Sequence, residues 1–279
     1  MGEITTDLAR MHEQCVYEQR VAGRIHDAGS RAARMPLYGQ IETEYAALFP
    51  EHLPTDSAEV SRTAEFEKAF ASRVLRPSSV IAEVGPGRCH LAFRLAPLVK
   101  TIYGVDVAAS YVVGEGPSNF EFRLTDGIRM PFPSNSLDLI VSNQLMEHLH
   151  PDDALDQLRE IHRVLKPGGA YACVTPNRVN GPHDCSSYFD DLPCPMDGVN
   201  YVAVGLHFKE YTAAELIELF KRAGFRSVRT YVGARGHYLR VPAALVTYIE
   251  LVLQLVSAER RKRSKLLGII LGNRMIAIK

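Results

Sequence analysis

The amino-acid sequence predicts an α/β fold, a doubly wound and mostly parallel sheet with helices on both faces. Two observations carry this prediction. Short apolar runs end in glycine-containing turns, and segments with helical spacing follow these turns, as in a buried strand that leads into a helix. Residues 79–90 contain the first such unit, and strand and helix patterns alternate from there to residue 279. A ligand of such a sheet binds at the carboxyl ends of its strands.

The segment before this unit is predicted to be helical. Apolar residues over 5–28 fall near one face of a helix. Residues 30–56 contain Pro36 and three further prolines and glycines, which predicts short helical pieces joined by turns. A helix over about 58–75 follows and ends before a proline. We divide the chain into an N-terminal helical cap, 1–56, and a main domain, 57–279. The cap is either a lid over the ligand or a purely structural element.

The turn Gly85-Pro86-Gly87 is the first candidate binding element. A dinucleotide fingerprint requires a third glycine three residues after the second, but His90 stands there. Glu83 lies just before the turn and would repel a pyrophosphate, whereas it suits a ligand with an ammonium or sulfonium group. Asp106 ends the next predicted strand, where a carboxylate accepts hydrogen bonds from a ribose diol. A nicotinamide-dependent oxidoreductase is therefore disfavoured.

These residues resemble the first motif of the class I S-adenosylmethionine-dependent methyltransferases, E-x-G-x-G-x-G, with Cys89 in place of the last glycine. More segments resemble the family in the same order, over roughly residues 60–279: Asp126-Gly127, Met130–Pro133, Ser136–Ile140, Val141–His148 and Leu165–Gly169. The resemblance implies a Rossmann-like sheet of seven strands and S-adenosylmethionine (SAM) as the cofactor.

The resemblance also implies roles for individual residues. Glu83, Gly85 and Gly87 are expected to line the methionine end of the cofactor, and Asn143, at the end of the fourth strand, is expected near the same part. Asp106 is expected to bind the ribose hydroxyls. Asp126 with Gly127 is expected to bind the adenine, and the alternative for Asp126 is a purely structural turn.

The remaining elements follow from periodicity, turn residues and a capping box that begins at Thr212. They comprise strands, helices and one long irregular segment: strands at Phe120–Leu124, Asp138–Ser142, Ala170–Thr175, Phe225–Val232 and Asn273–Lys279, helices that begin near Pro151 and Thr212 and over 242–258, and the irregular segment 176–208. Loops of this length are usually functional, so we expect 176–208 to bind the acceptor.

Composition narrows the classes of partner. Lys plus Arg and Asp plus Glu are both 32, so the net charge is zero and nothing points to nucleic acid. Five scattered cysteines form no disulfide framework and fit a reducing cytosol, and the N-terminal residues do not read as a signal peptide, so a cytoplasmic protein is expected. The basic cluster 260–265 is expected to be a solvated helix end, with anionic lipid or a phosphate-bearing acceptor as the alternative.

Histidines near the strand ends are the candidate catalytic residues. His148 follows the fourth strand, and His183 and His207 lie in the segment 176–208. A hydroxyl acceptor must lose its proton, and imidazole suits that task. His150 has a second interpretation as a helix-start residue. His183, Asp184 and His207 match no metal-ligand spacing, so no metal is expected.

The function predicted from the sequence is SAM-dependent transfer of a methyl group to a small molecule, at a hydroxyl of a sugar, glycan or natural product. The alternatives are an N- or C-methyltransferase of a small molecule, and a non-catalytic partner subunit with the same fold. The sequence predicts no acceptor identity and no oligomeric state.

Overall fold

A computed structural model describes most of the chain, namely residues 2–50, 74–109, 116–181, 183, 189, 206–234, 237–257, 260, 261, 264, 267 and 271–279. The helix predicted over 58–75 and most of the segment 176–208 lie outside these residues, and so does Asp184.

The first part of the chain alternates strands with helices, as the sequence predicts. It runs from two N-terminal helices to the fifth strand: α1 (Gly2–Asp27), α2 (Arg31–Leu48), β1 (Val80–Val84), α3 (His90–Leu95), β2 (Thr101–Asp106), β3 (Phe120–Leu124), β4 (Leu137–Asn143), α4 (Pro151–Val164) and β5 (Leu165–Thr175). Short 3₁₀ turns follow three of these elements, at Ala96–Leu98, Met146–His148 and Arg178–Asn180.

The second part adds antiparallel strands to the parallel ones. Its elements are α5 (Ala213–Arg222), β6 (Ser227–Ala234), β7 (His237–Val241), α6 (Ala243–Gln254) and β8 (Asn273–Ile278). Among the described residues, eight strands form one sheet in the order β3-β2-β1-β4-β5-β8-β6-β7. Every pairing among the first five strands is parallel, whereas β8 pairs antiparallel with both β5 and β6.

The Rossmann-like α/β class is confirmed, and the predicted count of seven strands is wrong by one. The additional strand is β7, which pairs only with β6 at the edge of the sheet. Three of its five residues are exposed, including Leu239, which has 76% of its surface exposed. An exposed edge strand lacks the buried apolar run on which the other strands were recognised, and this explains why it was missed.

Both faces of the sheet are buried. Successive residues of β1 enter different apolar clusters, with Ala82 and Val84 on one face and Ile81 on the other. Strand β4 divides in the same way, since Ile140 packs with the first cluster and Leu139 and Val141 with the second. This two-sided burial explains the continuous apolar runs of the parallel strands.

The two N-terminal helices pack together on their own apolar cluster, which includes Tyr38 and Ile41. The prediction of short helical pieces after residue 30 is wrong, because α2 is continuous and contains Pro36. Pro36 lies in the second turn, where its missing N–H costs one intrahelical hydrogen bond. Ser30 caps the helix start, and the burial of Tyr38 and Ile41 compensates for the lost bond.

Helix α6 turns a polar side chain inward and apolar side chains outward. Glu250 is buried and accepts hydrogen bonds from the Asn177 side chain at 2.5 Å and from the Ala213 backbone N–H at 2.8 Å. Glu250 thereby provides a hydrogen-bond acceptor for a backbone N–H group in the first turn of α5. Tyr248 and Leu255 on the same helix are exposed. Among the described residues, no helix is both long enough and apolar enough to cross a membrane.

The cysteines differ from the expectation of reduced thiols. Cys15 is disulfide-bonded, whereas Cys89 and Cys173 are buried free thiols. One disulfide-bonded cysteine among the three that the structure describes is not the multi-bridge framework that the spacing excluded. Because Cys15 is disulfide-bonded, the cysteines no longer support a reducing compartment.

Candidate functional site

A cleft of about 480 Å³ opens at the carboxyl ends of β1, β2 and β4, the place where a doubly wound sheet binds its ligand. Helices α1 and α2 form one wall and contribute Gln14, Glu18 and Tyr38 to its lining. Seven of the ten predicted site residues line this cleft, namely Gly85, Gly87, Asp106, Gly127, His148, His183 and His207. The other three, Glu83, Asp126 and Asn143, each adjoin a lining residue in the chain.

The glycine turn brings backbone to the cleft. Gly85 has φ +66°, and a Cβ built on it would lie 2.8 Å from Cδ1 of Leu145. Gly87 has φ +50°, and a Cβ there would meet no atom within 4 Å, so it would occupy open space. Cys89 adopts φ +62°, the left-handed conformation that glycine prefers. The turn therefore retains the glycine geometry of the motif even where Cys89 replaces the glycine.

Asp106 presents its carboxyl to the cleft from the end of β2. Burial raises its pKa to about 6, although backbone N–H groups of Val107, Ala108 and Gly87 donate hydrogen bonds to it and oppose this shift. The Val107 N–H lies 2.7 Å from Oδ1. This carboxylate is a suitable acceptor for a pair of hydroxyl groups, since each hydroxyl donates one hydrogen bond.

Asp126 has the turn function that the sequence analysis kept as an alternative. Its Oδ1 accepts hydrogen bonds from the N–H groups of Ile128 at 2.9 Å and Arg129 at 2.7 Å. The side chain is exposed, and Gly127 beside it has φ +86°. The turn shapes the wall of the cleft through Gly127, whose carbonyl accepts a hydrogen bond from Gln157.

Two predicted histidines share one buried carboxylate, Glu210, which the sequence analysis missed. The Nδ1–H groups of His183 and His207 each lie 2.9 Å from a Glu210 oxygen, and the His183 backbone N–H also donates to it at 2.7 Å. Burial alone raises the pKa of Glu210, but these hydrogen bonds outweigh it and lower the pKa to about 2. Glu210 therefore stays ionised and fixes both rings.

His148 joins the same cluster from the turn after β4. Its Nδ1 lies 3.0 Å from the carbonyl oxygen of Leu206, and its ring packs edge-on against His207 with 4.9 Å between the centroids. Burial lowers the pKa of His148 to about 3, so the ring is neutral at physiological pH. The preceding Glu147 is fully buried, and burial raises the pKa of its carboxyl.

His150 has the helix-start role. Its Nδ1 accepts a hydrogen bond from the Asp152 N–H at 3.2 Å and caps α4. Its backbone N–H donates to the Tyr38 hydroxyl at 2.9 Å, which ties the helix start to α2. His150 is not among the residues that line the cleft.

Glu147 and Glu210 could not be recognised from the sequence. Glu210 lies three residues after His207 but 27 residues after His183, and no motif links the three. Glu147 stands within the segment Val141–His148 that resembles the family's fourth strand and turn, but the resemblance assigned no role to it. Both acids acquire their partners through the fold, because β4 and the residues before α5 meet at the cleft.

Comparison with known proteins agrees with this geometry. Residues 82–173 match the model of a family described as a methyltransferase domain. A protein of Mycolicibacterium smegmatis that is described as a probable S-adenosylmethionine-dependent methyltransferase is 29% identical over 148 residues, which are 52% of this chain and 51% of that protein. The demethylmenaquinone methyltransferase of Listeria monocytogenes is 31% identical over 132 residues, 42% of this chain and 53% of that protein. The chain thus spans about half the length of the curated relatives it matches.

Solved structures show the same fold. The methyltransferase in the complex with the Trm112 methyltransferase activator of Haloferax volcanii superposes with a TM-score of 0.54 at 16% identity, over 85% of this chain and 96% of that chain. A SAM-dependent methyltransferase from Archaeoglobus fulgidus gives a TM-score of 0.54 at 16% identity, over 84% of this chain and all of the other, 100%. At this identity the likeness concerns the fold alone.

Proposed function

We propose that the chain is a class I SAM-dependent methyltransferase, and that it transfers a methyl group to a hydroxyl oxygen of a small molecule, such as a sugar, a glycan or a natural product. The observation that carries this proposal is the carboxylate of Glu210, which holds His183 and His207 beside the cofactor cleft. A hydroxyl is a poor nucleophile until its proton is removed, and the cluster offers a place for that proton.

The residues of the cleft fit the cofactor. Gly85 and Gly87 let backbone approach its methionine end, and the open space above Gly87 would be filled by any larger side chain. Asp106 would accept from the ribose hydroxyls, and Gly127 would border the adenine. When bound, SAM supplies an electrophilic methyl group on a sulfonium. Glu83 and Asn143, which adjoin the lining, would act on the methionine part.

His183 is the proposed general base. Its Nδ1 donates to Glu210, so the neutral ring carries its proton on Nδ1 and has the lone pair on Nε2. The side chain is 37% exposed, whereas that of His207 is 19% exposed, so His183 is better placed to pass the proton on to water. Removing the proton breaks the acceptor's O–H bond and forms an N–H bond on His183.

The N-terminal residues 1–56 are proposed to act as the cap of the cleft. Tyr38 and Glu18 line it, and the buried pair of Arg34 and Asp153 fixes α2 to α4. Closing a site against water strengthens its electrostatic interactions and protects the sulfonium from side reactions. The partners of this site are then a small-molecule acceptor and SAM, without nucleic acid.

Two experiments, one on cofactor binding and one on turnover, address separate parts of the proposal. Calorimetric titration with SAM and with its demethylated product should show binding by the unchanged protein and a loss of binding in Asp106→Ala. Transfer from radiolabelled SAM is then measured with a panel of hydroxylated sugars and natural products. His183→Gln should lower kcat by about 10²-fold or more while SAM affinity stays the same. Absence of SAM binding by the unchanged protein contradicts the proposal and favours a partner subunit.

A carbon or nitrogen acceptor is the second candidate. The similarity to the demethylmenaquinone methyltransferase of Listeria monocytogenes supports an acceptor other than a sugar hydroxyl. Such acceptors can react without a protein base. If His148→Asn, His183→Gln and His207→Asn all retain full turnover with an identified acceptor, this second candidate replaces the first.

A further inference from the structure

We infer that Glu147, His148 and His207 form a binding site for one divalent transition-metal ion, with zinc as the ion that fits the donors best. Each residue offers one ligand atom, and the three atoms lie within 4.8 Å of one another. Two imidazoles and one carboxylate are a common ligand set of catalytic zinc sites, which leave a fourth position for water or substrate. His148 and His207 line the cleft, so that position would face it.

The two imidazoles are oriented by their other nitrogen. Nδ1 of His148 donates to the Leu206 carbonyl at 3.0 Å, and Nδ1 of His207 donates to Glu210 at 2.9 Å. In a neutral ring this places the lone pair on Nε2, which is the nitrogen that would bind the metal. Metal-bound histidines almost always have such a second partner, either a backbone carbonyl or a carboxylate. The cluster contains one of each.

Glu147 provides the third donor. Its side chain is fully buried, and Oε2 accepts a hydrogen bond from the Thr175 hydroxyl at 2.7 Å. Among the described residues, Oε1 has no hydrogen-bond partner. A buried carboxylate oxygen without a partner costs free energy, because the water that solvated it is lost. A metal ion beside His148 and His207 would satisfy this oxygen and balance the charge.

The ligands come from two segments that the backbone holds together. Glu147 and His148 belong to the turn after β4, and His207 precedes α5. The Lys209 N–H donates to the Glu147 carbonyl at 3.2 Å and joins the two segments directly. About sixty residues separate Glu147 and His148 from His207 in the sequence, so no short-range spacing indicates the site. The sequence-based expectation of no metal rested on such spacing.

The proposed ion would also assist the proposed methyl transfer. This consequence rests on the proposed function, whereas the metal site itself does not. A hydroxyl group that binds a divalent cation loses its proton more easily, because the cation stabilises the oxygen anion. The O–H bond would break, its electron pair would stay on the oxygen, and the proton would pass to Nε2 of His183. His183 shares Glu210 with His207, so base and metal would act side by side.

Metal binding is measured on the 279-residue chain without SAM or acceptor. The protein is stripped with a chelator and titrated with zinc chloride by calorimetry, and cobalt(II) is added to a second sample to record its visible absorption spectrum. We expect one ion per chain and the intense visible bands of four-coordinate cobalt. Glu147→Gln keeps the shape and the bond from Thr175, and it should weaken zinc binding by about a hundredfold. His207→Asn should do the same.

Two control variants separate ligands from neighbours. His183→Gln alters the same cluster without removing a proposed ligand and should retain one bound ion. His237→Gln removes an exposed histidine on β7, far along the sheet from the cleft, and should leave binding unchanged. SAM titration of every variant shows that the cleft is intact.

Other results would overturn the inference. An unchanged protein that binds SAM but takes up no zinc or cobalt would show that the cluster is a hydrogen-bonded structural unit, and the proposed function would stand. Equal metal uptake by Glu147→Gln and the unchanged protein would remove Glu147 from the site. A protein that binds metal but not SAM would leave the metal site standing and contradict the proposed function instead.

Discussion

At the scale of single residues, the proposed ribose role of Asp106 predicts that cofactor binding depends on pH. Its pKa is raised to about 6 by burial, so it is mostly ionised above that pH and mostly protonated below it. In the proposed site, the ribose hydroxyls would donate to the ionised form. SAM affinity should therefore be constant above pH 7 and fall towards about tenfold per pH unit well below pH 6. Calorimetry between pH 4.5 and pH 8, at about the same ionic strength throughout, measures this.

The matched variant is Asp106→Asn, which cannot ionise. Its SAM affinity should be weaker at neutral pH and flat across the same range. A steep fall that persists in Asp106→Asn would assign the pH dependence to another group and would argue against the ribose role of Asp106.

Gly85 and Gly87 should respond differently to the same added methyl group. Gly85→Ala combines left-handed strain of about 1–2 kcal/mol with the contact on Leu145, so its free energy of unfolding should fall by more than that strain alone. Gly87→Ala carries only the strain, but its Cβ enters the cleft. Both variants should bind SAM more weakly, as measured by calorimetry, and urea denaturation compares their stabilities. Equal stabilities would contradict the crowding at Gly85.

At the scale of elements, a buried ion pair fixes the N-terminal helices to the main domain. Arg34 on α2 donates to both oxygens of Asp153 on α4 at 2.7 Å, and both side chains are almost fully buried. Removing one partner leaves the other charge buried and unpaired. Arg34→Ala should therefore lower the free energy of unfolding by about 3–5 kcal/mol, measured by urea denaturation.

The neighbouring pair of Arg31 and Asp156 is the control. It also joins α2 to α4, at 3.2 Å, but both side chains are more than a third exposed. Arg31→Ala should cost about 1 kcal/mol or less, because solvent already screens the pair. If both variants lost the same stability, burial would not be what makes the Arg34 pair matter.

Local pattern predicted some elements well and others poorly. The unit from β1 through the glycine turn to α3 was predicted because strand burial, turn and helix all act within about a dozen residues. The Thr212 capping box was recognised for the same reason, and both of its hydrogen bonds are present. Continuous α2 was not predicted, because the burial of its apolar face depends on contacts with α1. Glu210 was missed because its two histidines reach it only in the folded chain.

At the scale of the whole molecule, the stability of the sheet should depend on its last strand. β8 lies between β5 and β6, and Ile276 on it is fully buried. Ile276→Ala should lower the free energy of unfolding by about 2–5 kcal/mol, measured by urea denaturation, because it removes buried methyl groups and leaves a cavity.

The comparison is Leu239→Ala on the edge strand β7, where the side chain is 76% exposed. It should change stability by no more than about 0.5 kcal/mol. A larger loss from Leu239→Ala than from Ile276→Ala would indicate an apolar contact on the edge of the sheet and would contradict the dependence of the sheet on β8.

The position of β8 also affects the order in which the protein can be assembled during synthesis. Strands β1–β5 leave the ribosome first, and the β6–β7 hairpin follows, but the gap between β5 and β6 is filled only when residues 273–278 are available. Until then, β5 and β6 each present unpaired backbone N–H and C=O groups to the surroundings. Until β8 has been made, the nascent chain therefore has two open strand edges, at which pairing with another chain is damaging and chaperone binding protects.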